Sequence, residues 1–395
     1  MLADKIDAIQ DALAEAGLDG WLFAAFQNND PISLALLGIG TDHLVTRRCY
    51  YLIPKTGKPR KLVHGLEPAM LEHLPGETSS YTRWKEHRAS LTGLVAGITK
   101  LAVQYSPGNG LPSVSRLDAG TAELLREAGS ELHSSADLVQ RFAATWSLAQ
   151  LETHRRASTH LHRIVKEAFG HVREALAAKR AIFEYDVQQF ILGRFEAAGL
   201  HAEGAPIVGV DAHSADPHYQ PGPVGSSAIV PGCFLLIDLW AKEKAAGSIY
   251  ADICWCGVAA SAPTDRQQEI FDLVVAARDA GIALVQDRFP HRPVRGFEVD
   301  DAARAVIDKA GYGDRFYHRT GHSIDTSDHG QGANMDNFET HDTRLLVPMT
   351  GFSIEPGIYF DGDFGVRSEV NLALTSAGAE VTGAEPQREL IRLLG

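Results

Sequence analysis

The sequence is poor in cysteine and contains no long apolar run. Four cysteines in 395 residues are too few for a disulfide framework, and a chain of this length buries a sufficient core without one. No apolar stretch approaches the roughly 20 residues of a transmembrane helix, and the N-terminus lacks the basic start of a signal peptide. We therefore expect a globular, cytoplasmic protein with no membrane attachment.

Positive charge is also scarce. The chain has 50 Asp and Glu residues against 37 Lys and Arg, which gives a formal net charge of −13. Such a field disfavours binding to nucleic acids and to anionic membranes, so neither is an expected partner. Most of the acid excess favours solubility, but clustered acids can also build a metal site.

The predicted elements up to about residue 145 are short strands that alternate with helices. This alternation indicates a small α/β domain over 1–145. Apolar positions at helical spacing predict a helix over the first 20 residues. The remaining predicted elements of this domain are strands at 21–26, 48–54, 61–65 and 100–105 and a helix at 121–129.

Beyond residue 145 the predicted helices are longer and the strands more apolar, which indicates an α+β domain over 146–395. Residues 205–225 are rich in Pro, Gly, Ser and His, a composition that predicts an irregular and functional segment. Cys254 and Cys256, two apart on a predicted strand, are expected to pack in the core. The predicted elements are helices at 148–180, 184–199, 264–288 and 298–310 and strands at 233–241, 248–260, 352–360 and 364–375.

Four acids stand in otherwise apolar or strand-like segments. Asp238 lies in LLIDLWA, Asp252 in IYADICW, Glu355 in FSIEPG and Glu369 in VRSEVN. An ionised carboxylate is costly to bury without a compensating cation or hydrogen-bond donor. Four buried carboxylates would also repel one another and raise each other's pKa. An ion pair or a cap explains any one of these acids, whereas a divalent metal explains all four.

Histidines are the second sign of a metal site. His318, His322 and His329 lie in YHRTGHSIDTSDHG, and His218 lies in DPHYQPG. Imidazole beside carboxylates suits Mn²⁺, Zn²⁺, Co²⁺ or Fe²⁺ better than Ca²⁺ or Mg²⁺. His213 is the alternative to His218 within the irregular segment.

The order Asp, Asp, His, Glu, Glu, with the spacing H-x-x-x-H-x-x-x-x-x-x-H, resembles the pita-bread metallopeptidases. This family includes methionine aminopeptidase, aminopeptidase P and prolidase, with creatinase as a relative that lacks the metals. The motifs cover about residues 150–385, and residues 1–145 are similar to the N-terminal domain of the aminopeptidase P, prolidase and creatinase branch. The resemblance implies an α/β N-terminal domain followed by an α+β pita-bread catalytic domain.

The resemblance also implies a ligand set for two divalent metal ions. Asp238 would bind one ion, and His322 with Glu355 would bind the other. Asp252 and Glu369 would bridge the two. Mn²⁺ is the expected metal, although Zn²⁺, Co²⁺ and Fe²⁺ suit the same ligands.

Residues around the metals take roles from the same resemblance. His218 and His329 match two histidines that contact the substrate and stabilise the tetrahedral intermediate. Glu355 would also transfer a proton, and Tyr359 would lie near the site. Arg367 matches an arginine of the proline-specific branch, and Tyr359 and Arg367 are expected, with His218, to bind the substrate.

The function implied is that of a dinuclear exopeptidase that cleaves Xaa-Pro bonds, either an aminopeptidase or a dipeptidase, and that forms a homodimer. A creatinase-like amidinohydrolase and a non-catalytic binding protein are the alternatives. Creatinase lacks the full metal set and binding relatives tend to lose ligands, whereas all five positions are filled here. The sequence departs from the family in the long connection between Asp238 and Asp252 and in the neighbours of Glu369, Arg-Ser before it and Val-Asn after it.

Overall fold

A computed structural model of the protein describes residues 2–40 and 44–395, and Met1 of the predicted first helix lies outside them. The chain divides into two compact units, Met1–Ala143 and Ala144–Gly395. Each unit has its own buried apolar clusters.

The described part of the first unit is a six-stranded mixed sheet with helices. The strands follow one another across the sheet in the order β4-β3-β2-β1-β5-β6. The pairs β1–β2 and β2–β3 are antiparallel, whereas β3–β4, β1–β5 and β5–β6 are parallel. The elements are α1 (Ile6–Glu15), β1 (Gly20–Ala25), α2 (Pro31–Leu37), β2 (Cys49–Pro54), β3 (Arg60–His64), β4 (Glu77–Tyr81), α3 (Trp84–Leu94), β5 (Lys100–Val103), α4 (Ala119–Glu127), β6 (Glu131–Ser134) and α5 (Ala136–Val139).

Apolar strands of this sheet were predictable and polar ones were not. The four predicted strands correspond to β1, β2, β3 and β5, which are largely buried. The edge strands β4, with the sequence ETSSY, and β6, with ELHS, lack an apolar pattern because an edge strand is covered less completely. The predicted first helix was too long: α1 ends at Glu15, and Gly17 then turns the chain with a φ of 67°.

The second unit, all of whose residues are described, contains four α-helices and eleven strands. One sheet has the order β17-β10-β9-β7, with β8 also paired to β9, and a second has the order β11-β12-β15-β16, while β13 pairs with β14. The elements are α6 (Leu148–Ala177), α7 (Glu184–Ala197), β7 (Leu200–His201), β8 (Ile207–Val210), β9 (Phe234–Glu243), β10 (Ala251–Val258), α8 (Asp265–Arg288), α9 (Gly296–Lys309), β11 (Ser323–Ile324), β12 (Gly351–Ile354), β13 (Gly357–Tyr359), β14 (Gly365–Arg367), β15 (Val370–Thr375), β16 (Gly378–Val381) and β17 (Ile391–Arg392).

Helix starts in this unit are set by side-chain caps. Ser147 accepts a hydrogen bond from the backbone N–H of Gln150, whose side chain accepts one from the N–H of Ser147 in return. Thr264 and Gln267 form the same capping box ahead of α8. These caps satisfy backbone donors that have no partner within the helix.

The hairpin of β9 and β10 is apolar on both faces. Side chains alternate between the two faces of a strand. On one face, Ile237 and Trp255 pack in the cluster that includes much of α6. On the other face, Leu236 packs with Cys254 and Cys256 in a cluster beside α8. The two cysteines are therefore core residues of the face that also carries the two aspartates.

Two predicted strands of the C-terminal region are interrupted in the structure. The segment 352–360 divides into β12 and β13 at Glu355 and Pro356, because proline offers no N–H to continue a ladder. The segment 364–375 divides into β14 and β15, and the N–H of Glu369 there donates to the carbonyl of Cys254 on β10. Segment 205–225 is also less irregular than predicted, since it contains β8.

Candidate metal centre

Asp238 and Asp252 lie on the same face of the β9–β10 hairpin. The strands are antiparallel, with Asp238 opposite Cys254 and Asp252 opposite Trp240. The two aspartates are thus two positions apart in register and project to the same side. The long connection between them leaves this pairing intact.

Glu355 and Glu369 enter the same region from the breaks described above. Glu369 is buried, and its N–H is held by β10. Glu355 follows β12, and one of its carboxylate oxygens accepts a hydrogen bond from the hydroxyl of Ser353 at 3.1 Å. Residues 353 and 355 of an extended segment project to the same side, which agrees with this bond.

His322 is placed by the close approach of its segment to β12. Its backbone N–H donates to the hydroxyl of Ser353 at 3.0 Å. A Cβ on the preceding Gly321 would lie 1.9 Å from the carbonyl oxygen of Ser353, so only glycine fits there. The His322 Nε2 atom lies 3.7 Å from Asp252 and 3.5 Å from Glu355.

The buried oxygens of these acids fit a metal site. Asp238 Oδ1, Asp252 Oδ1 and Glu369 Oε1 are buried and have no hydrogen-bond partner among the described residues. Ligand atoms of Asp252, His322 and Glu369 all lie within 4.8 Å of one another. Carboxylate oxygens and one imidazole in this arrangement are a donor set for a divalent transition metal.

The electrostatics of the acids agree with this interpretation. Burial, together with the charges of neighbouring carboxylates, raises the pKa of Asp252 and of Glu369 well above their ordinary values. Burial also raises the pKa of Asp238. Burial alone would raise the pKa of Glu355 too, but the imidazoles of His322 and His318 lower it below 4.5. Bound cations would favour the charged form of all four acids.

Arg367 supports the centre through a buried polar network. Its guanidinium forms an ion pair with the second oxygen of Asp238 and donates to the hydroxyl oxygen of Tyr359 at 3.2 Å. The ring of His318 lies 2.8 Å from the same hydroxyl through its Nε2. Arg367 and Tyr359 are both buried. Asp238 thus has one oxygen held by Arg367 and the other free for a ligand.

The centre opens into a cleft of about 940 Å³. His218 and His329 line this cleft, as do Asp238, Asp252 and Glu355. The side chain of His329 is 63% exposed, and its ring centroid lies 4.1 Å from that of His322. The neighbouring imidazole of His322 and the partial burial of the ring lower the pKa of His329 to about 3, so its imidazole is neutral near pH 7.

His213, the sequence-based alternative to His218, has a different environment. Its Nδ1 lies 2.9 Å from a carboxylate oxygen of Glu184, the first residue of α7. Glu184 is fully buried and also accepts hydrogen bonds from the N–H groups of Val210 and Ser227. The sequence offered no sign of this role, because one acid at a helix start is an ordinary capping feature.

Asp328 is a further acid of the cleft that the sequence did not single out. It directly precedes His329, and its Oδ1 is buried without a hydrogen-bond partner among the described residues. Burial and the charge of Asp252 raise its pKa well above the ordinary value. Its position beside an expected site histidine was the available signal.

Comparison with known proteins identifies the family of this chain. The model of metallopeptidase family M24 matches residues 153–376, which is more than half of the sequence. The chain belongs to metallopeptidase family M24. All five expected ligand positions fall inside the matched segment.

Several curated relatives that match this M24 chain are uncharacterized peptidases. One from Staphylococcus saprophyticus is 33% identical over 177 residues, which is 44% of this chain and 45% of the relative. Another, from Staphylococcus aureus strain MRSA252, is 30% identical over 172 residues, or 43% of this chain and 44% of the relative. The chain therefore spans less than half the length of these relatives.

Solved structures confirm the predicted fold class. The dipeptidase PepE from Mycobacterium ulcerans matches 100% of this chain and 98% of its own with a TM-score of 0.73 and 23% identity. A prolidase from Thermococcus sibiricus matches 98% of each chain, with a TM-score of 0.65 and 22% identity. An X-prolyl aminopeptidase from Caenorhabditis elegans, described as a cytosolic enzyme with a di-nuclear active site, matches 94% of this chain and 58% of its own, with a TM-score of 0.66 and 17% identity. The M24 chain shares their pita-bread fold.

The structure also bears on membrane attachment. Within residues 2–40 and 44–395, none of the helices combines the length and the apolar character needed to cross a bilayer.

Proposed function

We propose that this protein is a two-metal exopeptidase that hydrolyses Xaa-Pro bonds, either as an Xaa-Pro aminopeptidase or as a dipeptidase of the prolidase type. The observation that carries the proposal is the grouping of buried, unpartnered carboxylate oxygens with His322 around one cleft. The names of the solved structures with the same fold, a dipeptidase, a prolidase and an X-prolyl aminopeptidase, support the choice of substrate.

The proposed metal ligands divide between two ions. Asp238 would bind one ion, His322 and Glu355 the other, and Asp252 and Glu369 both. When bound, such ions supply Lewis acidity and lower the pKa of a bound water. Mn²⁺ is the proposed metal, and Zn²⁺, Co²⁺ and Fe²⁺ suit the same donors.

The side chains around the ligands would handle the substrate and the protons. The neutral imidazole of His329 can donate an N–H hydrogen bond to the scissile carbonyl oxygen. His218, which also lines the cleft, would contact the peptide. Glu355, whose pKa is lowered, is ionised near pH 7. It can accept a proton from the attacking water and return it to the departing proline nitrogen. Tyr359 and Arg367 would hold Asp238 and the floor of the cleft in place.

Three further assignments stay predictions. We propose that residues 1–145 are the N-terminal domain of the aminopeptidase P, prolidase and creatinase branch and that residues 146–395 are the catalytic domain. We also propose a homodimer, which light scattering of the purified protein would test, and a cytoplasmic location.

The substrate proposal is tested by one comparison. The protein is assayed with an Xaa-Pro dipeptide and with an Xaa-Pro-Yaa tripeptide, each with added Mn²⁺. Cleavage of the dipeptide alone identifies a dipeptidase, and cleavage of the tripeptide identifies an aminopeptidase. Failure to cleave either peptide in protein that carries about two metals per chain would refute the proposal.

The role of His329 is tested by His329→Ala. We expect kcat to fall by about 10²–10³, the usual loss for one hydrogen-bond donor to a developing oxyanion. The tightly bound metals should remain, because His329 is outside the proposed ligand set. His341→Ala is the control, since His341 is exposed and does not line the cleft. Elemental analysis showing an empty centre in His329→Ala would contradict the role.

A further inference from the structure

Asp328 and His329 lie beside the proposed centre and form a second group with His322. Ligand atoms of these three residues all lie within 4.8 Å of one another. The rings of His322 and His329 are 4.1 Å apart between centroids, and His329 Nε2 lies 3.9 Å from Asp328 Oδ2. This group is distinct from that of Asp252, His322 and Glu369, although the two share one histidine.

Among the described residues, neither a lysine nor an arginine forms an ion pair with the carboxylate of Asp328, and the basic group beside it is the imidazole of His329. The Oδ1 atom of Asp328 is buried with no hydrogen-bond partner among the residues described, and its side chain is 22% exposed. Asp238 already has Arg367 as an ion-pair partner. An unpaired carboxylate in a partly buried cleft favours binding of a further cation.

We infer that Asp328 and His329 form an outer metal-binding position at this centre, with His322 as the residue it shares with the inner ligand group. With the inner ion bound to His322, the outer position offers the carboxylate of Asp328 and the imidazole of His329, which are donors that Zn²⁺ accepts. Side-chain exposure rises from 5% at His322 to 22% at Asp328 and 63% at His329. The outer position thus faces the solvent, and the inner one lies behind it.

His322, which both groups share, determines which of the two positions binds its metal ion more tightly. His322 Nδ1 lies 3.2 Å from the carbonyl oxygen of Ser323, whereas Nε2 faces Asp252 and Glu355. An ion in the inner group therefore uses Nε2. The outer ion is then left mainly with Asp328 and His329 and with water, so it binds more weakly than the inner ions.

Zinc binding tests the outer position without any activity measurement. Metal-stripped protein is dialysed against Zn²⁺ over a range of free concentrations, and bound zinc is counted by atomic emission. We expect the wild type to bind one weak zinc ion beyond those held tightly. In Asp328→Asn this ion should be lost or weakened at least tenfold, and His329→Ala should lose it as well.

Asp361→Asn is the matched control, because Asp361 lines the same cleft but belongs to neither group. It removes the same charge and should keep the weak ion. The inference is overturned if Asp328→Asn binds zinc in the same number and with the same affinities as the wild type. An equal loss of zinc in Asp361→Asn would overturn it too. Thermal unfolding of each variant verifies that it is folded.

One consequence rests on the proposed function. If His329 binds the substrate, a zinc ion at the outer position makes this histidine unavailable to the substrate. Excess Zn²⁺ should therefore inhibit Xaa-Pro hydrolysis. We expect Asp328→Asn to require at least tenfold more zinc for half-inhibition than either the wild type or Asp361→Asn. Equal inhibition of all three would refute this consequence. Absence of Xaa-Pro activity would refute the proposed function alone, because the dialysis result does not depend on turnover.

Discussion

Arg367 and Asp238 form an ion pair that is almost completely buried. Burial of a charged pair costs desolvation energy, and removal of one partner leaves the other charge uncompensated. The bond to Tyr359 holds the guanidinium in place from the opposite side. The pair therefore keeps Asp238 oriented whether or not a metal is bound, and its contribution to stability should depend on the metal.

Replacement of Arg367 tests this dependence. We expect Arg367→Met to lower the free energy of unfolding of metal-stripped protein by about 3–5 kcal/mol, the usual cost of breaking a buried pair. With Mn²⁺ bound the loss should be smaller, because the ions also neutralise Asp238. Urea denaturation with and without Mn²⁺ measures both values.

The control is Arg388→Met, which breaks the exposed pair with Asp279 and should cost about 0–1 kcal/mol in either state. An equal loss for Arg367→Met with and without metal would show that the ions do not neutralise Asp238.

At the scale of elements, the start of α7 organises the segment that carries His218. Both carboxylate oxygens of Glu184 are used: one accepts from the N–H of Val210 and lies beside His213, and the other accepts from Tyr219 and the N–H of Ser227. These partners lie before and after His218 in the chain. A single buried acid thus connects a helix to an otherwise irregular segment of the cleft wall.

We expect Glu184→Gln to loosen this segment. The amide has one acceptor oxygen instead of two, so buried donors lose partners at a cost of about 1–3 kcal/mol. Backbone hydrogen exchange within 210–227 should accelerate and kcat/KM should fall, while the tightly bound metals stay.

Asp186→Asn is the comparison for this prediction. Asp186 lies in the same first turn of α7 but is exposed and bonds only the N–H of Phe183 among the contacts described for it. It should leave exchange in 210–227 unchanged. Unchanged exchange in Glu184→Gln would show that the carboxylate does not order the segment.

At the scale of the molecule, the buried acids link stability to pH and to metal. The pKa values of Asp252 and Glu369 in the folded protein lie well above the ordinary 3.8 and 4.5. Between the ordinary and the raised values, the metal-stripped folded state binds more protons than the unfolded state. The contribution of these two acids to the free energy of unfolding of metal-stripped protein is therefore greatest at low pH. It decreases as pH rises through the raised pKa values.

We therefore expect metal to stabilise the protein more at pH 8 than at pH 5, because the ligands must lose their protons to bind it. Melting temperatures with Mn²⁺ and with a chelator, measured across this range, give the difference. Calorimetry in two buffers of different ionisation enthalpy should show proton release on metal binding. A stabilisation by metal that is independent of pH would contradict this account.

The most informative residues were identifiable from local sequence alone, because a carboxylate in an apolar strand is a costly exception that calls for an explanation. Asp238 and Asp252 stood out in this way, and the buried strands and capped helices around them followed from apolar pattern and composition. Edge strands β4 and β6 did not, since partial burial removes the apolar pattern. The interruptions of the predicted strands at Glu355 and Glu369 were also missed.

Contacts between distant segments depended on the tertiary structure. Arg367 is 129 residues from Asp238 along the chain, and the bond from the N–H of Glu369 to the carbonyl of Cys254 connects its segment to the β9–β10 hairpin. The role of Glu184 likewise depends on the hydrogen-bond donors that surround it. That of Asp328 depends on a buried oxygen without a hydrogen-bond partner among the described residues. The local sequence reveals a residue whose burial is energetically unfavourable. The groups that offset this unfavourable energy come from segments far away in the chain.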